Sequence, residues 1–194
     1  MKKQLKDDQI GQAVKILKKG GVIAYPTDTL YGIGCDALNQ PAVKKVFELK
    51  GREYSKPMSI ACSNIEMVKK YADVSPMAEK IIKELLPGPF TILLNKKKLI
   101  SDLVTAGHKK VGVRIPDNEL CLKIIQEINR PIITTSANIS GQKDISDFKN
   151  LEISVDFIVK GKCKHNQPST VFDSIDKKIL RKGVQFEEID KYVY

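Results

Sequence analysis

Short apolar runs, each followed at once by a polar loop, organise this sequence of 194 residues more strongly than any other feature. Runs such as GVIAY, MSIAC, TILLN, VGVRI and PIITT have the length and apolar character of buried strands. Segments with helical spacing separate them, for example residues 41–49, which end before Gly51. We therefore predict an α/β domain with an open, twisted, partly parallel sheet, flanking helices, and a ligand crevice where several strand ends meet.

Capping residues predict where the helices begin, because a side-chain oxygen can accept a hydrogen bond from a free N–H of the first turn. A short helical stretch is expected near residues 100–105, and the segment from residue 155 onward alternates as three short strands, VDFIV, STVFD and KILR. The predicted caps are Asp7 or Asp8 for the first helix, Ser63 or Asn64, Ser75 before Pro76, and Asp117 for a helix through Ile128.

The size and composition predict a single globular domain over residues 1–194, with an apolar fraction of 42% and a charged fraction of 29%. No apolar run approaches the ~20 residues of a membrane span, and the lysine-rich start lacks the apolar core of a signal peptide, so we expect a cytoplasmic protein without membrane contact. The four cysteines and two histidines are too scattered for zinc-ligand spacing. No resident metal is therefore expected, and any metal should arrive with a substrate.

The net charge of +10 favours anionic partners such as nucleotides, phosphates or RNA without choosing among them. Only four of the 33 basic residues are arginines, whose planar fork suits carboxylates and phosphates. Arg130 ends a helix before Pro131, where a cation suits the helix dipole, so we interpret it as structural. The other three, Arg52, Arg114 and Arg181, are the candidate ligand-binding cations.

Two of these arginines lie in contexts that allow both a functional and a structural interpretation. In KGR, Lys50 and Arg52 flank a glycine and can present two cations to a triphosphate, although a solvated basic helix end explains the same residues. Arg114 lies within an apolar run, where a charge needs a partner. That partner is either an internal carboxylate or the carboxylate of a small substrate.

The remaining polar loops are rich in hydroxyls and amides. TTSANISG can donate several hydrogen bonds to a phosphate or ribose, PTDTLYG can form the lip of a pocket, and PSTVFD places Ser169 and Thr170 before a strand. Considered alone, each of them can be an ordinary turn, and for TTSANISG this is the favoured interpretation. A P-loop and a strand-adjacent G-x-G-x-x-G are both absent, so a nucleotide must be held in another way.

In their order, YPTDTLYGIG, KGR, VRIP, SANISG, PSTVFD and ILRKG resemble the motifs of the YrdC-like (TsaC-type) threonylcarbamoyl-AMP synthase family, in its short single-domain form. The resemblance spans nearly the entire chain. It implies an open twisted mixed sheet with flanking helices around a large, positively charged concave cavity. It also implies that L-threonine, bicarbonate and ATP are joined into threonylcarbamoyl-AMP with release of pyrophosphate. That product would feed the transferase machinery that forms threonylcarbamoyladenosine on tRNA.

The resemblance further implies roles for individual residues, with Arg114 binding the threonine carboxylate. The implied sets are Thr29, Arg114, Thr134 and Ser169 for threonine; Arg52, Lys56, Ser136 and Arg181 for ATP; Lys50, Arg52 and Asn138 for catalysis; and Thr27, Tyr31 and Thr170 as further candidates from the same loops. Three positions depart from the family pattern: Asp28 replaces a common Glu, Lys56 replaces the asparagine of longer relatives, and Ala61 replaces a frequent histidine.

The mechanism implied by the resemblance needs orientation and charge neutralisation more than a proton-transfer base. A threonine N-carboxylate would attack the α-phosphorus of ATP while pyrophosphate leaves. Because no histidine lies in any motif, we expect Lys50, Arg52 and a nucleotide-bound Mg²⁺ to offset the phosphate charge.

Two other functions are compatible with parts of the sequence. A basic cavity could bind double-stranded RNA or tRNA without catalysis, but no RNA-binding module is recognisable in the sequence. Carbamoyl-adenylate chemistry of the hydrogenase-maturation type would require a longer chain with cysteine-rich zinc modules, which neither the length nor the cysteine pattern fits.

Overall fold

The computed structural model describes residues 2–193, without the side chains of residues 2, 3 and 5. The helices are α1 Lys2–Lys18, α2 Gln40–Lys50, α3 Ile65–Tyr71, α4 Pro76–Leu85, α5 Asp102–Thr105 and α6 Glu119–Ile128, with 3-10 helices at Phe148–Asn150 and Phe186–Tyr192. The strands are β1 Ile23–Pro26, β2 Tyr31–Gly34, β3 Ser59–Ala61, β4 Ala72–Asp73, β5 Phe90–Lys96, β6 Lys110–Arg114, β7 Ile132–Ser136, β8 Phe157–Ile158, β9 Thr170–Asp173 and β10 Lys178–Arg181.

The strands form one open, mixed sheet in the order β10-β9-β5-β6-β3-β7-β2-β1-β8, with β4 paired to β5. The pairs β1–β8, β3–β6 and β5–β9 are parallel, and the other pairs are antiparallel. The predicted α/β class and the mixed sheet are therefore confirmed. None of the helices in residues 2–193 is long and apolar enough to cross a membrane.

Two of the four predicted helix caps are confirmed, and two are wrong. Asn64 and Ser75 accept hydrogen bonds from the backbone of the first turns of α3 and α4. The helix α6 is capped by Asn118, whose Oδ1 accepts from the N–H of Cys121 at 3.2 Å, because the carboxylate of Asp117 pairs with Lys164 instead. The helix α1 already begins at Lys2, since the lysines, glutamine and leucine upstream are good helix formers.

The core lies between the helices and the sheet. Its largest fully buried side chains include Tyr25 on β1, Phe47 on α2 and Phe172 on β9. The helix α4 buries Ile81 and Ile82 on one face, as its spacing of apolar residues predicts. Full burial of such a side chain stabilises the fold by roughly 1.5–3 kcal/mol.

The strand β2 was not predicted, because its sequence, YGIG, has two glycines in a segment that looks like a polar loop. Its pairing with β1 makes residues 27–30 a tight connection, since Pro26 lies opposite Tyr31. Gly34 permits this packing, because a Cβ atom there would lie 1.9 Å from the carbonyl oxygen of Ile133. The connection carries the PTDT sequence to the side of the sheet where the polar loops gather.

Candidate active site

The loop between β1 and β2 forms the first wall of the candidate site, and the hydroxyl of Thr27 holds it in shape. Thr27 Oγ1 donates to the carbonyl of Leu30 at 2.7 Å and accepts from the N–H groups of Thr29 at 3.1 Å and Leu30 at 3.2 Å. The hydroxyls of Thr27 and Thr29 lie 3.0 Å apart. Thr27 therefore organises the loop, while Thr29 offers its hydroxyl to other groups.

Arg114 ends β6 directly beside this loop. Its Nη2 donates to Asp28 Oδ1 and to Thr29 Oγ1, both at 2.9 Å. The partner is thus an internal carboxylate, which was one of the two alternatives for this buried arginine. Arg114 still lines the cavity described below, and within residues 2–193 its buried Nε has no hydrogen-bond partner. Arg114 therefore retains donor capacity.

The loop after β7 is fastened from behind by Lys50, the last residue of α2. Lys50 is 1% exposed, and its Nζ donates to the main-chain carbonyls of Ser136 and Asn138. Ser136 in turn donates its hydroxyl to Asn138 Oδ1, and Asn138 Nδ2 donates to the carbonyl of Gln142 at 2.6 Å. Burial lowers the pKa of Lys50 to about 8, aided by the charge of Arg52 and opposed by Asp144.

Arg52 projects from the segment after α2, which turns at Gly51 in the left-handed conformation with φ 57°. Its Nε donates to the carbonyl of Lys56 at 3.1 Å, and its Nη2 donates to that of Pro57 at 2.8 Å. Burial lowers the pKa of Arg52. The side chain of Lys56 is exposed and pairs with Glu53 at 2.9 Å, so only its backbone supports Arg52.

Ser169 and Arg181 close the opposite wall. Arg181 donates from Nε to the carbonyl of Ser169 and from Nη2 to the hydroxyl of Ser169, both at 3.0 Å. The Ser169 hydroxyl also lies 2.9 Å from that of Thr91 on β5. Burial lowers the pKa of Arg181, and the charge of Arg114 lowers it further, which reflects how close the two guanidinium groups are.

These walls enclose a cavity of about 240 Å³. Three guanidinium groups and several hydroxyls line it, a combination suited to carboxylate and phosphate oxygens. Nine of the residues singled out from the sequence border the cavity: Thr27, Thr29, Tyr31, Arg52, Arg114, Thr134, Ser136, Ser169 and Arg181.

Four other candidates, Lys50, Lys56, Asn138 and Thr170, are not among the lining residues. Lys50 and Asn138 lie immediately behind the loop that carries Ser136. The hydroxyl of Thr170 is fully buried and donates to the carbonyl of Val184 at 2.9 Å. Tyr31 does border the cavity, but its hydroxyl donates to the carbonyl of Val159 at 2.9 Å, and burial raises the pKa of this hydroxyl to about 12.

Sequence reasoning missed four polar residues of the cavity wall, namely Ser59, Thr91, Thr135 and Asp144. Thr135 lies within the TTSANISG motif but was not singled out. Thr91 and Ser59 sit inside or beside apolar strand runs, where a single hydroxyl carries little signal. Their positions on β5 and β3 become informative only once the strand order is known. Asp144 lies in an irregular segment and is the cavity's only carboxylate among the described residues.

The structure is thus an α/β domain with an open mixed sheet and a polar cavity lined by three arginines. The family model described as "Telomere recombination", the Sua5/YciO/YrdC domain, matches residues 15–183. The chain therefore belongs to the Sua5/YciO/YrdC family, which confirms the resemblance seen in its motifs.

Three comparisons show how far this similarity extends. A protein of Methanocaldococcus jannaschii is 40% identical over 193 residues, which cover 93% of this chain and 90% of that protein. The threonylcarbamoyl-AMP synthase of Photobacterium profundum is 33% identical over 184 residues, covering 91% of this chain and 100% of that protein. The fold is also similar to the crystal structure of P. abyssi Sua5 complexed with L-threonine, with a TM-score of 0.87 and a sequence identity of 33%. The match covers 94% of this chain and only 57% of that chain.

Proposed function

We propose that this chain is a threonylcarbamoyl-AMP synthase, which makes L-threonylcarbamoyladenylate and pyrophosphate from L-threonine, bicarbonate and ATP. The observation that carries the proposal is the convergence of Arg52, Arg114 and Arg181 on one cavity in a chain of this family. Three guanidinium groups provide for a substrate carboxylate and for phosphates in one place. A relative named for this activity is similar over its whole length, which supports the assignment.

The threonine would lie between the loop after β1 and the start of β9. Arg114 is the proposed partner of its carboxylate, because it lines the cavity and, among the described residues, only its Nη2 is hydrogen-bonded. The hydroxyls of Thr29, Thr134 and Ser169 border the same space and would orient the amine and the substrate hydroxyl. A structure of P. abyssi Sua5 with L-threonine bound supports a threonine site in this fold.

The ATP phosphates would face Arg52, Arg181 and Ser136. Arg52 and Arg181 are both anchored through backbone carbonyls, so their remaining donors are held in place before a ligand arrives. The proposed contact from Lys56 requires its ammonium group to leave Glu53, since the two side chains are paired at the surface. The contact between Lys56 and ATP would therefore form only when a phosphate displaces Glu53.

The chemistry can be written with these residues in named roles. The threonine amine and bicarbonate combine to an N-carboxylate and water, and a carboxylate oxygen of this group then attacks the α-phosphorus as pyrophosphate leaves. Arg52 and Arg181 offset the charge that develops on the phosphate oxygens. Lys50 and Asn138 act through the loop that they hold, because Lys50 Nζ binds the backbone of Ser136 and Asn138 rather than the cavity.

Mg²⁺ is proposed to enter with the nucleotide. Within residues 2–193 no three His, Cys, Asp or Glu side chains are grouped as metal ligands, and Asp144 is the one carboxylate on the cavity wall. One carboxylate together with substrate phosphates is a common way to hold this ion. Asp144 would serve as the protein ligand, and the ion would supply charge neutralisation to the phosphates.

Pyrophosphate release from ATP and Mg²⁺ tests the proposal, with L-threonine and bicarbonate each omitted in turn. We expect release to require both, with an adenylate product whose mass corresponds to threonylcarbamoyl-AMP. Replacement of threonine plus bicarbonate by carbamoyl phosphate should give no product. Release that is independent of threonine would refute the assignment.

Non-catalytic binding of double-stranded RNA or tRNA is the second candidate, and the net charge of +10 is the observation that favours it. Binding of this kind weakens steeply with salt because phosphate contacts release counterions. A salt-sensitive RNA complex in a protein without nucleotide turnover would favour this candidate. The two functions are also compatible, since the product of the proposed synthase would be consumed by a transferase that modifies tRNA.

A further inference from the structure

Asp28 is a buried carboxylate placed directly behind the cavity wall. Its side chain is 1% exposed, and that of its partner Arg114 is 9% exposed. Asp28 does not itself line the cavity, but it contacts Arg114, which does. We propose that Asp28 is a positioning residue that holds the Arg114 guanidinium in the orientation that binds a substrate carboxylate. This inference rests on the proposed function and adds a residue to its threonine site.

The contact between the two side chains is single rather than double. Only Arg114 Nη2 reaches Asp28 Oδ1, at 2.9 Å, and the same nitrogen also donates to Thr29. Arg114 Nε and Asp28 Oδ2 are both buried without a hydrogen-bond partner in the described structure. A two-point pair would consume both of these atoms. The single contact holds the guanidinium through Nη2, and within the described residues Nη1 makes no hydrogen bond and is not fully buried, so it is the nitrogen left for a ligand.

Hydrogen bonds from two distant segments of the chain hold the backbone around Asp28. The Asp28 carbonyl accepts from the N–H groups of Lys164 at 3.0 Å and His165 at 2.9 Å. Asn118 Nδ2 donates to the carbonyl of the preceding Thr27 at 3.4 Å. The carboxylate is thus attached to a loop that two distant segments support, which gives it the rigidity needed to orient another side chain.

The charge of Asp28 gives a second reason to expect that it holds Arg114 in place. The guanidinium groups of Arg114 and Arg181 border the same cavity of about 240 Å³. Two nearby positive charges in a partly desolvated space repel each other, and an adjacent negative charge offsets the repulsion. Without the charge of Asp28, Arg114 would be a buried cation without the one ion-pair partner that it has among the described residues, and it would gain by turning toward water.

Asp28→Asn tests the proposal, and Asp36→Asn is the matched control. Asp36 is also a buried carboxylate, with a side chain 4% exposed that accepts from Arg130 at 2.8 Å, but it is absent from the cavity wall. We expect D28N to raise the KM for threonine about tenfold or more, with the KM for ATP changed less than about threefold. D36N should leave the KM for threonine at its wild-type value. Equal KM values for threonine in D28N and the wild type would overturn the proposal.

A second readout separates this inference from the proposed function. The chain has four arginines, so the Arg114 Nε–Hε signal in a ¹⁵N NMR spectrum can be assigned by its loss in R114K. We expect this signal to exchange slowly with water in the wild type and rapidly in D28N. A wild-type protein without threonine-dependent turnover would refute the synthase assignment, while the NMR comparison would still decide the role of Asp28.

Asp28→Glu covers the case in which D28N does not fold. This variant keeps the charge and displaces it by one methylene, so Arg114 should remain paired in a shifted position. We expect a rise of about threefold in the KM for threonine and a shifted, still protected Arg114 signal. A folded D28E protein with wild-type values in both measurements would contradict the positioning role.

Discussion

The ammonium group of Lys50 and the main-chain carbonyl of Asn138 lie 2.5 Å apart, which ties the end of α2 to the loop after β7. The same ammonium also donates to the carbonyl of Ser136. Ser136 borders the cavity, whereas Lys50 does not. The position of a cavity hydroxyl therefore depends on a cation that stands behind it.

Lys50→Met should impair the synthase reaction by loosening this loop. Methionine has similar length but cannot donate, so the carbonyls of Ser136 and Asn138 would lose a charged partner, at a cost of about 1–3 kcal/mol. We expect kcat/KM to fall about tenfold or more, measured by pyrophosphate release. Lys44→Met, at an exposed position of the same helix, is the control and should keep the wild-type rate. A normal rate in K50M would show that the loop does not need the ammonium group.

The activity should also depend on pH through Lys50. Burial holds the folded-state pKa of Lys50 at about 8, below its ordinary value of 10.5. Because burial disfavours the charged ammonium, Lys50 contributes most to the free energy of unfolding above about pH 10.5, where it is neutral in both states. This contribution is lost as the pH falls through about 8 and the folded protein must take up the proton. The hydrogen bonds from the charged ammonium to the carbonyls of Ser136 and Asn138 have the opposite pH dependence, since the ammonium loses its proton as the pH rises through about 8.

We therefore expect turnover to decline above about pH 8 as Lys50 becomes neutral. The measurement is a ¹³Cε NMR titration of Lys50 beside a pH profile of pyrophosphate release. In K50M the profile should lose the step near that pH. A Lys50 titration midpoint near the ordinary value would contradict the effect of burial.

Arg181 and Ser169 should behave as one unit. Arg181 contacts both the carbonyl and the hydroxyl of Ser169, so the loss of either side chain disturbs the other. We expect R181K and S169A each to lower kcat/KM about tenfold or more, and the double variant to lose much less than the product of the two effects. Arg130→Lys, whose partner Asp36 is outside the cavity, is the control. Strictly multiplicative losses would argue against a shared site.

Thr170→Val should change stability more than substrate affinity. The Thr170 hydroxyl donates to the carbonyl of Val184 and accepts from the N–H of Gly183 at 3.0 Å, so it joins β9 to the segment after β10. We expect the free energy of unfolding in urea to fall by about 1–3 kcal/mol because these buried groups lose a partner. A raised KM at unchanged stability would instead place Thr170 among the binding residues.

Replacing Gly34 or Gly11 by alanine should change the free energy of unfolding in opposite directions. Gly34→Ala would put a Cβ atom 1.9 Å from the carbonyl oxygen of Ile133, so the pairing of β2 with β7 must give way. Gly11 is on α1, and a Cβ atom there would meet no neighbouring atom within 4 Å, so alanine should raise the free energy of unfolding by roughly 0.5–1 kcal/mol. Urea unfolding of G34A and G11A measures both. Equal midpoints would contradict the tight approach at Gly34.

The sequence was sufficient for the features that depend on local patterns. Strands such as β5 and β6, and the caps Asn64 and Ser75, follow from apolar runs and from short-range side-chain chemistry. The candidate cations were also accessible, because an arginine in an apolar run needs a partner wherever the chain folds. Nine candidates drawn from separate motifs do border one cavity.

The features that sequence patterns missed depend on contacts between distant segments. The strand β2 has glycine-rich, loop-like residues, and only its pairing with β1 and β7 makes it a strand. Thr91 resembles any strand threonine until β9 brings Ser169 within 2.9 Å of it. Lys50 looked like a free cation because no local pattern shows that two carbonyls 86 and 88 residues away will surround it.

The parallel pairing of β5 with β9 also sets the order in which the site can be built. Thr91 and Ser169 are separated by 78 residues in the chain, and Ser169 is bonded to Arg181. During synthesis, the lining residues up to Asp144 are made before Ser169 and Arg181. Contacts of such long range form late, because closing the intervening loop costs entropy first. A growing chain would thus complete this cavity only after Ser169 and Arg181 have been made and β9 has paired with β5.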